Sequence, residues 1–249
     1  MRFFICHNFN ALALLSFMIV ASSVQASDTG YQRLFTLYSK SKSANWKPSE
    51  SFPVRIPDSH EIWKKQKRFV RRWKKDRRIL VSVEEAKFEK KKRLDMKGLG
   101  MVRAPQSIVY AVASDFSKMK DLSDYILESR YQQEKGLLYL HTKAFGYHAH
   151  MLFQVKAVET DQEKQIRWRI VQGTFTGMTG TIQIESLAKA IGSTSAREAS
   201  QSLVSLYAQH DYENLGIPDF FVRFGLEVIL EKVSSTIRRV VEEKSSVGS

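Results

Sequence analysis

Cysteine is nearly absent from this chain of 249 residues, in which Cys6 is the single thiol. Cys6 lies in an N-terminal segment with the pattern of a cleaved leader, and no cysteine follows that segment. Disulfide bonds, thiolate metal sites and cysteine nucleophiles are therefore excluded from that remainder. A lipoprotein anchor is disfavoured for the same reason. Export without disulfide bonds fits a bacterial periplasm better than a disulfide-stapled secreted domain.

Long hydrophobic runs are also missing beyond the leader. The leader itself has Arg2 as its positive start, an apolar run over residues 11–21, and small residues up to Ala26. This pattern predicts a secretory signal peptide over residues 1–26, and an uncleaved N-terminal anchor is the alternative. No later segment approaches the about 18 apolar residues that indicate a membrane span. We expect the mature protein to be soluble or peripheral to a membrane.

Sequence motifs of common catalytic sites are missing as well. No Gly-x-Ser-x-Gly elbow occurs, and no ordered nucleophile–base set is visible. Gly173, Gly177 and Gly180 lack the strand–turn–helix setting of a dinucleotide loop, so we interpret them as turn and sheet-bend residues. Asp115 is better placed to end a helix than to act as an acid or base. We predict no catalytic residue, no metal site and no cofactor.

Two polar pairs alternate along predicted strands. His148 and His150 share one strand face about 6–7 Å apart, a separation that two metal ligands tolerate. No third ligand stands nearby and the apolar residues take the other face, so we expect both histidines to face solvent. Arg167 and Arg169 are candidates for binding a phosphate or carboxylate headgroup at a cavity mouth. A solvated strand face is the simpler interpretation of this pair.

Positive charge is present in excess but in one place only. The chain carries a net charge of +13, and residues 64–103 alone contribute 17 Lys and Arg against 5 Asp and Glu. Residues 104–249 contain 16 basic and 17 acidic residues, so this part is nearly neutral. The basic character therefore belongs to one segment of the chain.

The N-terminal part is rich in Ser, Lys and Pro. Three of the 5 prolines lie within residues 27–60, which have only a weak helical tendency at residues 31–38. We expect this lead-in to be poorly ordered or loosely docked. Strands are predicted at residues 79–83 and 94–102 from their β-branched and apolar residues, and Pro105 opens a short helix.

Strand patterns then dominate the chain up to the last helix. The six runs, separated by short turns, indicate an antiparallel meander and cover residues 126–133, 137–145, 148–159, 165–172, 179–187 and 202–210. Pro218 opens a closing helix with apolar residues at steps of three and four. These elements predict an α+β fold, in which a curved antiparallel sheet wraps around the closing helix and leaves an apolar hollow between them.

Residues 98–116, GLGMVRAPQSIVYAVASDF, carry a resemblance to a known superfamily. A strand, an Ala-Pro pair, a helix of Val-Tyr type and Asp-Phe are followed by Tyr125 and Ile126. This order resembles the start of a START-like (SRPBCC) domain, the superfamily of coenzyme-Q-binding START proteins and polyketide cyclase/dehydrases. Ile217 and Pro218 before a long helix resemble its C-terminal end. The resemblance covers residues 79–244, about two-thirds of the chain.

The resemblance implies a helix-grip domain with a cavity for sterols, phospholipids, quinones or polyketides. Fold analogy does not choose among these ligands. The inward positions that we predict to bind the ligand come from three strands and the closing helix: Met151, Phe153, Val155, Trp168, Ile170, Ile182, Ile184, Phe221, Phe224 and Val228. A fully packed core is the alternative for the same residues, because burial is equally favourable against protein or ligand.

The basic run within residues 64–78 has three interpretations. It can lie on an anionic membrane surface, with each cation contributing about 1 kcal/mol, or it can be a solvated helix packed on the domain. Nucleic-acid binding is disfavoured, since an exported protein is separated from the nucleic acids of the cell. The segment also shows no row of aromatic residues on which single-stranded bases would stack. The predicted membrane-surface residues are Lys64, Lys65, Lys67, Arg68, Arg71, Arg72, Trp73, Lys74 and Lys75.

The sequence thus predicts three parts: a signal peptide at residues 1–26, an N-terminal extension with a basic helix at 27–78, and a helix-grip domain at 79–246. The expected function is binding or shuttling of a hydrophobic, lipid-like molecule. A cyclase/dehydrase-type enzyme using the same cavity is one alternative, and it requires a buried ionisable group among the inward residues. An interaction module with a collapsed pocket is the other. The sequence leaves the ligand and the oligomeric state open.

Overall fold

A computed structural model describes residues 28–40, 79–88, 91–144, 146–160, 164–213 and 219–247. Within these ranges the chain forms one eight-stranded antiparallel sheet in the order β1-β2-β8-β7-β6-β5-β4-β3. The strands are β1 Leu80–Phe88, β2 Lys91–Val102, β3 Ile126–Gln132, β4 Leu137–Ala144, β5 Tyr147–Glu159, β6 Lys164–Gly173, β7 Thr179–Ser186 and β8 Ser202–Tyr212.

The strand order follows from the sequence order. Strands β3 to β8 form a meander in which each strand pairs with the next, and β8 then pairs with β2 of the N-terminal hairpin. The edges of the sheet are β1 and β3. The six runs predicted from the period-two alternation all form strands. The two predicted N-terminal strands are longer than expected: the first extends to Phe88, and the second begins at Lys91.

Five α-helices surround this sheet in the described ranges. They are α1 Asp28–Lys40, α2 Gln106–Ala113, α3 Leu187–Ile191, α4 Ala196–Ala199 and α5 Asp219–Val247, with 3₁₀ turns at Phe116–Leu122 and Gln133–Lys135. Of the helices that the structure describes, none has both the length and the apolar content to cross a bilayer. The predicted α+β helix grip is confirmed, because the curved sheet holds the 29-residue helix α5 against one face.

Two glutamates fix α5 to the sheet at its two ends. The carboxylate of Glu227 accepts a hydrogen bond from the backbone N–H of Val83 in edge strand β1, at 3.3 Å. The carboxylate of Glu242 accepts one from the backbone N–H of Arg103, just after β2, at 3.1 Å. The two glutamates lie about 22 Å apart along the helix, given a rise of about 1.5 Å per residue.

The face of the sheet toward α5, here called the inner face, carries two buried apolar clusters. One lies beneath α2, the first 3₁₀ turn and the second half of α5, and includes Val109, Phe116 and Val241. The other joins β1, β2, β6 and β8, with Leu226 and Leu230 of α5 packed against it. Each cluster therefore lies near one of the two glutamate contacts.

The opposite face, called the outer face, is covered by α1. Leu34 and Tyr38 are buried against Leu137, Leu152 and other side chains of β4, β5 and β6. The lead-in was expected to be poorly ordered or loosely docked, and for these residues that prediction is wrong. Isolated propensity is weak over residues 31–38, and the helix owes its stability to burying one apolar side on the sheet.

A histidine cluster lies at the start of α1. His141 Nε2 and His148 Nδ1 are 2.9 Å apart, and the rings of His141 and His150 stack with centroids 4.1 Å apart. The Tyr139 hydroxyl lies 2.9 Å from His150 Nδ1. A Cβ at Gly30 would lie 3.0 Å from both of these atoms, so only glycine permits this close approach without a shift. His150 was expected to face solvent; it is half-buried instead because α1 covers it.

Acidification is predicted to destabilise the fold through this cluster. Burial, followed by the neighbouring histidines, lowers the pKa of His141 and of His150 below the ordinary 6.5. Below about pH 6.5 the unfolded chain takes up protons that the folded chain does not, so the free energy of unfolding falls as pH falls. Each histidine contributes at most about 1.4 kcal/mol per pH unit.

The measurement is urea denaturation at about pH 7.5 and about pH 5.5, where Asp and Glu stay largely ionised. We expect a lower midpoint at the acidic pH. The double variant H141Q/H150Q is expected to lose part of this difference. Equal midpoints for the wild-type protein at the two pH values contradict the prediction.

Candidate ligand-binding site

Between the two inner clusters lies a row of apolar side chains that solvent still reaches. The row crosses neighbouring strands β5, β6, β7 and β8 and is formed by Met151, Phe153, Trp168, Ile182 and Val204, all half-buried. Solvent therefore reaches the inner face of the sheet between the two clusters. We call the space over this row the inner cavity.

The predicted ligand-binding residues fall into three groups in the structure. Met151, Phe153, Trp168 and Ile182 line the inner cavity, and Val228 of α5 is also half-buried. Val155, Ile170 and Ile184 face the same way but are buried within the two clusters, at 8%, 2% and 1% exposure. Phe221 and Phe224 belong to α5, and their side chains lie outside what the structure describes.

The orientation of Trp168 is set by a glycine. Its indole meets the ring of Phe153 edge-on, with centroids 5.6 Å apart and planes at 67°. The opposite position on β7 is Gly180, where a Cβ would overlap the indole and lie 3.0 Å from the Cβ of Ala208. The missing side chain therefore provides the room in which Trp168 lies across the inner face.

A buried histidine adds a polar group to this apolar face. His210 of β8 is 5% exposed, and it stacks on Tyr212 with centroids 5.7 Å apart and planes at 14°. Burial lowers the pKa of His210, so the ring is neutral near neutral pH. No group in the described part of the chain hydrogen-bonds to its Nδ1. The neighbouring Tyr212 hydroxyl does have a partner, since it donates to the carboxylate of Glu85 at 2.7 Å.

Phe175 also contacts His210, and its backbone has a strained conformation. The two rings meet edge-on, with centroids 5.8 Å apart and planes at 84°. Phe175 lies in the turn between β6 and β7 with φ at 61°, the left-handed region that costs a non-glycine residue about 1–2 kcal/mol. Such strain persists where surrounding contacts impose it, and it is frequent at functional sites.

Sequence reasoning missed His210 although a signal was present. In β8 the alternation that turns Val204 and Ala208 inward also turns His210 inward. The predicted strand ended at this residue, so its face was not considered. Only the structure, which extends β8 to Tyr212 and closes Phe175 over the ring, shows that the histidine is buried.

The other polar candidates lie away from the inner cavity. Arg167 and Arg169 are on the outer face, where Arg167 Nε donates to the Gln165 side-chain oxygen at 2.9 Å. Burial lowers the pKa of Arg169, which lies near Tyr38 of α1. The headgroup role at a cavity mouth therefore does not fit either arginine. Asp115 follows α2, and its carboxylate accepts a hydrogen bond from Ser117 and pairs with Lys118, as a local structural role requires.

Two further expectations concern metals and the basic run. Among the residues that the structure describes, no three His, Cys, Asp or Glu side chains are grouped so that they could hold a metal ion. The predicted membrane-surface residues from Lys64 to Lys75 lie outside the described ranges.

Comparison with known proteins gives a likeness of fold. No protein-family model matches the chain, and the search of curated proteins found no match. A START superfamily protein from Mycobacterium smegmatis is 16% identical, with 60% of this chain and 97% of that chain covered and a TM-score of 0.47. The fold of that protein is of the kind predicted here from the sequence, and at this identity the likeness assigns neither a superfamily nor a role.

Two enzymes are among the similar solved structures. The Zhui aromatase/cyclase from Streptomyces sp. R1128 is 16% identical, with coverage of 62% of this chain and 94% of that chain and a TM-score of 0.46. Norcoclaurine synthase from Thalictrum flavum, in complex with dopamine and hydroxybenzaldehyde, is 13% identical, with coverage of 65% and 89% and a TM-score of 0.44. At these identities the likeness concerns the fold alone.

A substitution at Gly180 is predicted to disturb the inner cavity. In G180A the new methyl group overlaps the Trp168 indole, so Trp168 or β7 must move, and the expected loss is about 1–3 kcal/mol of unfolding free energy. Urea denaturation is the measurement. The matched control is G98A, where the Cβ would lie at an ordinary 3.5 Å from the Leu206 Cβ. Equal stability of G180A and G98A contradicts the assigned role.

Proposed function

We propose that this protein binds a hydrophobic, lipid-like molecule in the inner cavity and carries it without transforming it. The observation that carries the proposal is the row of half-buried apolar side chains between sheet and α5, of which Trp168 is the largest. Apolar surface that stays in contact with water costs about 25 cal/mol per Å² relative to burial. A hydrophobic guest in that space gains this free energy without rearranging the sheet.

The dimensions of the row fit an elongated guest. It crosses from β8 to β5, three strand spacings, and so extends about 14 Å across the sheet. The glutamate contacts and buried clusters lie on both sides of it and fix α5 to the sheet there. A molecule lying along the row would contact aromatic rings at Phe153 and Trp168 and aliphatic groups at Ile182 and Val204.

A second candidate function is cyclase/dehydrase-type catalysis in the same cavity. That alternative requires a buried ionisable group on the inner face, and His210 meets the requirement. General acid–base catalysis needs a group within hydrogen-bonding reach of the reacting atoms and a second group that orients or recharges it. His210 Nδ1 has no such partner in the described part of the chain. Binding is therefore the function that we favour.

We extend the proposal to the site of action. The leader pattern of residues 1–26 favours export to a periplasm. The basic run of residues 64–78, with Trp73 among its cations, favours contact with an anionic membrane surface. Together they describe a carrier that loads or delivers its hydrophobic cargo at a membrane.

Bound ligand is the first expected outcome. Protein purified from its native host should release about one equivalent of a hydrophobic small molecule into an organic extract, as mass spectrometry would show. The variant I182F fills part of the inner cavity and should carry less of it. I184V, which trims a neighbouring side chain inside a buried cluster, is the matched control and should carry the wild-type amount. Absence of a stoichiometric molecule in the wild-type extract rejects the carrier proposal.

Membrane contact is the second expected outcome. A protein lacking residues 59–78 should bind anionic liposomes more weakly than the full chain, since each lost cation near the surface contributes about 1 kcal/mol. Flotation with anionic and with neutral liposomes is the measurement. Neutral liposomes serve as the control, and there the two proteins should behave alike. Unchanged binding to anionic liposomes removes the membrane role from this segment.

A further inference from the structure

One polar atom on the inner face has no partner within the described protein, although its surroundings exclude water. His210 is 95% buried, and no group in the described ranges donates to or accepts from its Nδ1. A buried hydrogen-bonding atom without a partner is costly, and most such atoms in folded proteins are paired. On the face that we propose for ligand binding, such an atom is available to pair with a ligand.

The ring is held in place by contacts that do not use this atom. Tyr212 stacks on one side of the imidazole and donates its own hydrogen bond to Glu85. Phe175 meets the ring edge-on, with a left-handed backbone conformation that an aromatic residue rarely adopts. The ring is therefore oriented before any guest arrives, and such preorganisation lowers the entropic cost of binding.

His210 belongs to the same face as the inner cavity. Ala208 and Tyr212, two residues away on either side in β8, are members of the inner cluster against which Met151, Phe153 and Trp168 pack. The Trp168 indole lies over Gly180, which pairs with Ala208, and His210 is the next inward residue of β8 after Ala208. The histidine thus borders the apolar row at Trp168. A guest with one polar end could place that end here and the rest of its length along the row.

The local charges select the kind of polar group. Glu85 and Asp211 are the acidic residues closest in sequence or contact to His210 and Tyr212, and burial holds the imidazole neutral. Asp211 is paired with Arg93, and Lys92 Nζ lies 5.9 Å from the centroid of the Tyr212 ring. The neutral imidazole itself offers no charge to an anionic headgroup, and burying that headgroup here would be costly. A hydroxyl group both donates and accepts, so it can pair with Nδ1 in either tautomer of the ring.

We propose that His210 is the polar anchor of the inner cavity and selects hydrophobic molecules that carry a neutral hydroxyl group. This inference rests on the proposed carrier function and names the class of cargo: long-chain alcohols and hydroxylated polycyclic molecules. Such selectivity arises because a site with a buried polar atom rejects analogues that leave the atom unpaired.

The test combines two ligands with three forms of the full chain. Displacement of the fluorescent probe N-phenyl-1-naphthylamine reports the affinities of 1-dodecanol and of 1-chlorododecane, which lacks the hydroxyl group. The forms are wild type, H210L and H210N, since an Asn amide can keep a hydrogen-bonding atom near the position of Nδ1. H210L should lower the affinity for 1-dodecanol about tenfold and the affinity for 1-chlorododecane by less than about twofold. H210N should keep part of the preference for 1-dodecanol.

The stability of the empty protein gives a second, independent readout. Because His210 Nδ1 is unpaired without a guest, H210L should raise the Tm by about 2–4 °C. A side chain with a purely structural hydrogen bond would give the opposite sign. A lower Tm in H210L, accompanied by an unchanged ligand preference in the same variant, therefore overturns the inference.

The outcomes separate the inference from the function on which it rests. If no form binds the probe or either ligand, the carrier function fails and the anchor with it. If the wild-type protein binds both ligands but H210L weakens them equally or not at all, the carrier function stands and the anchor is rejected. Dodecanoate is the third ligand, and tighter binding of it than of 1-dodecanol rejects the selection of a neutral group.

Discussion

The attachment of α5 to the sheet at two separate points is the constraint on which the rest of this structure depends. Glu227 holds one end of the helix to the edge strand through the N–H of Val83, and Glu242 holds the other end through the N–H of Arg103. Each hydrogen bond involves a charged acceptor and so is worth about 1.5–3 kcal/mol. Together they fix where the helix lies along the sheet.

This constraint explains why apolar residues in the middle of the sheet remain accessible. The buried clusters form close to the two attachment points, and the residues between them, among which Phe153 and Trp168 border both clusters, are only half-buried. Gly180 contributes by leaving the indole of Trp168 room to lie flat. The accessible stretch of the inner face thus lies between the two places where the helix is attached.

Much of the fold was predictable because it is encoded locally. Period-two alternation in β5, where Met151, Phe153 and Val155 face inward, fixes both the strand and its inner face, and the stripe of the last helix does the same for α5. Alternation, however, assigns a residue to a face and does not say what covers that face. His150 was assigned to the correct face of β5. It is nevertheless half-buried, because α1, which lies more than a hundred residues earlier in the chain, covers it.

The same limit applies to the candidate site. Inward residues could be named from the pattern, yet whether they are packed or accessible depends on α5, so Ile184 is buried while Ile182 two residues away is not. His210 shows the limit most clearly. Its inward direction follows from the alternation in β8, but its burial depends on Phe175 from another turn, a contact that no local pattern specifies.

The docking of α1 has a consequence for the basic run. α1 ends at Lys40 on the outer face over β4 to β6, and β1 begins at Leu80 on the far edge of the sheet. The basic run of residues 64–78 is therefore covalently tethered to the same sheet from both sides. A surface that bound these cations would hold the sheet as well.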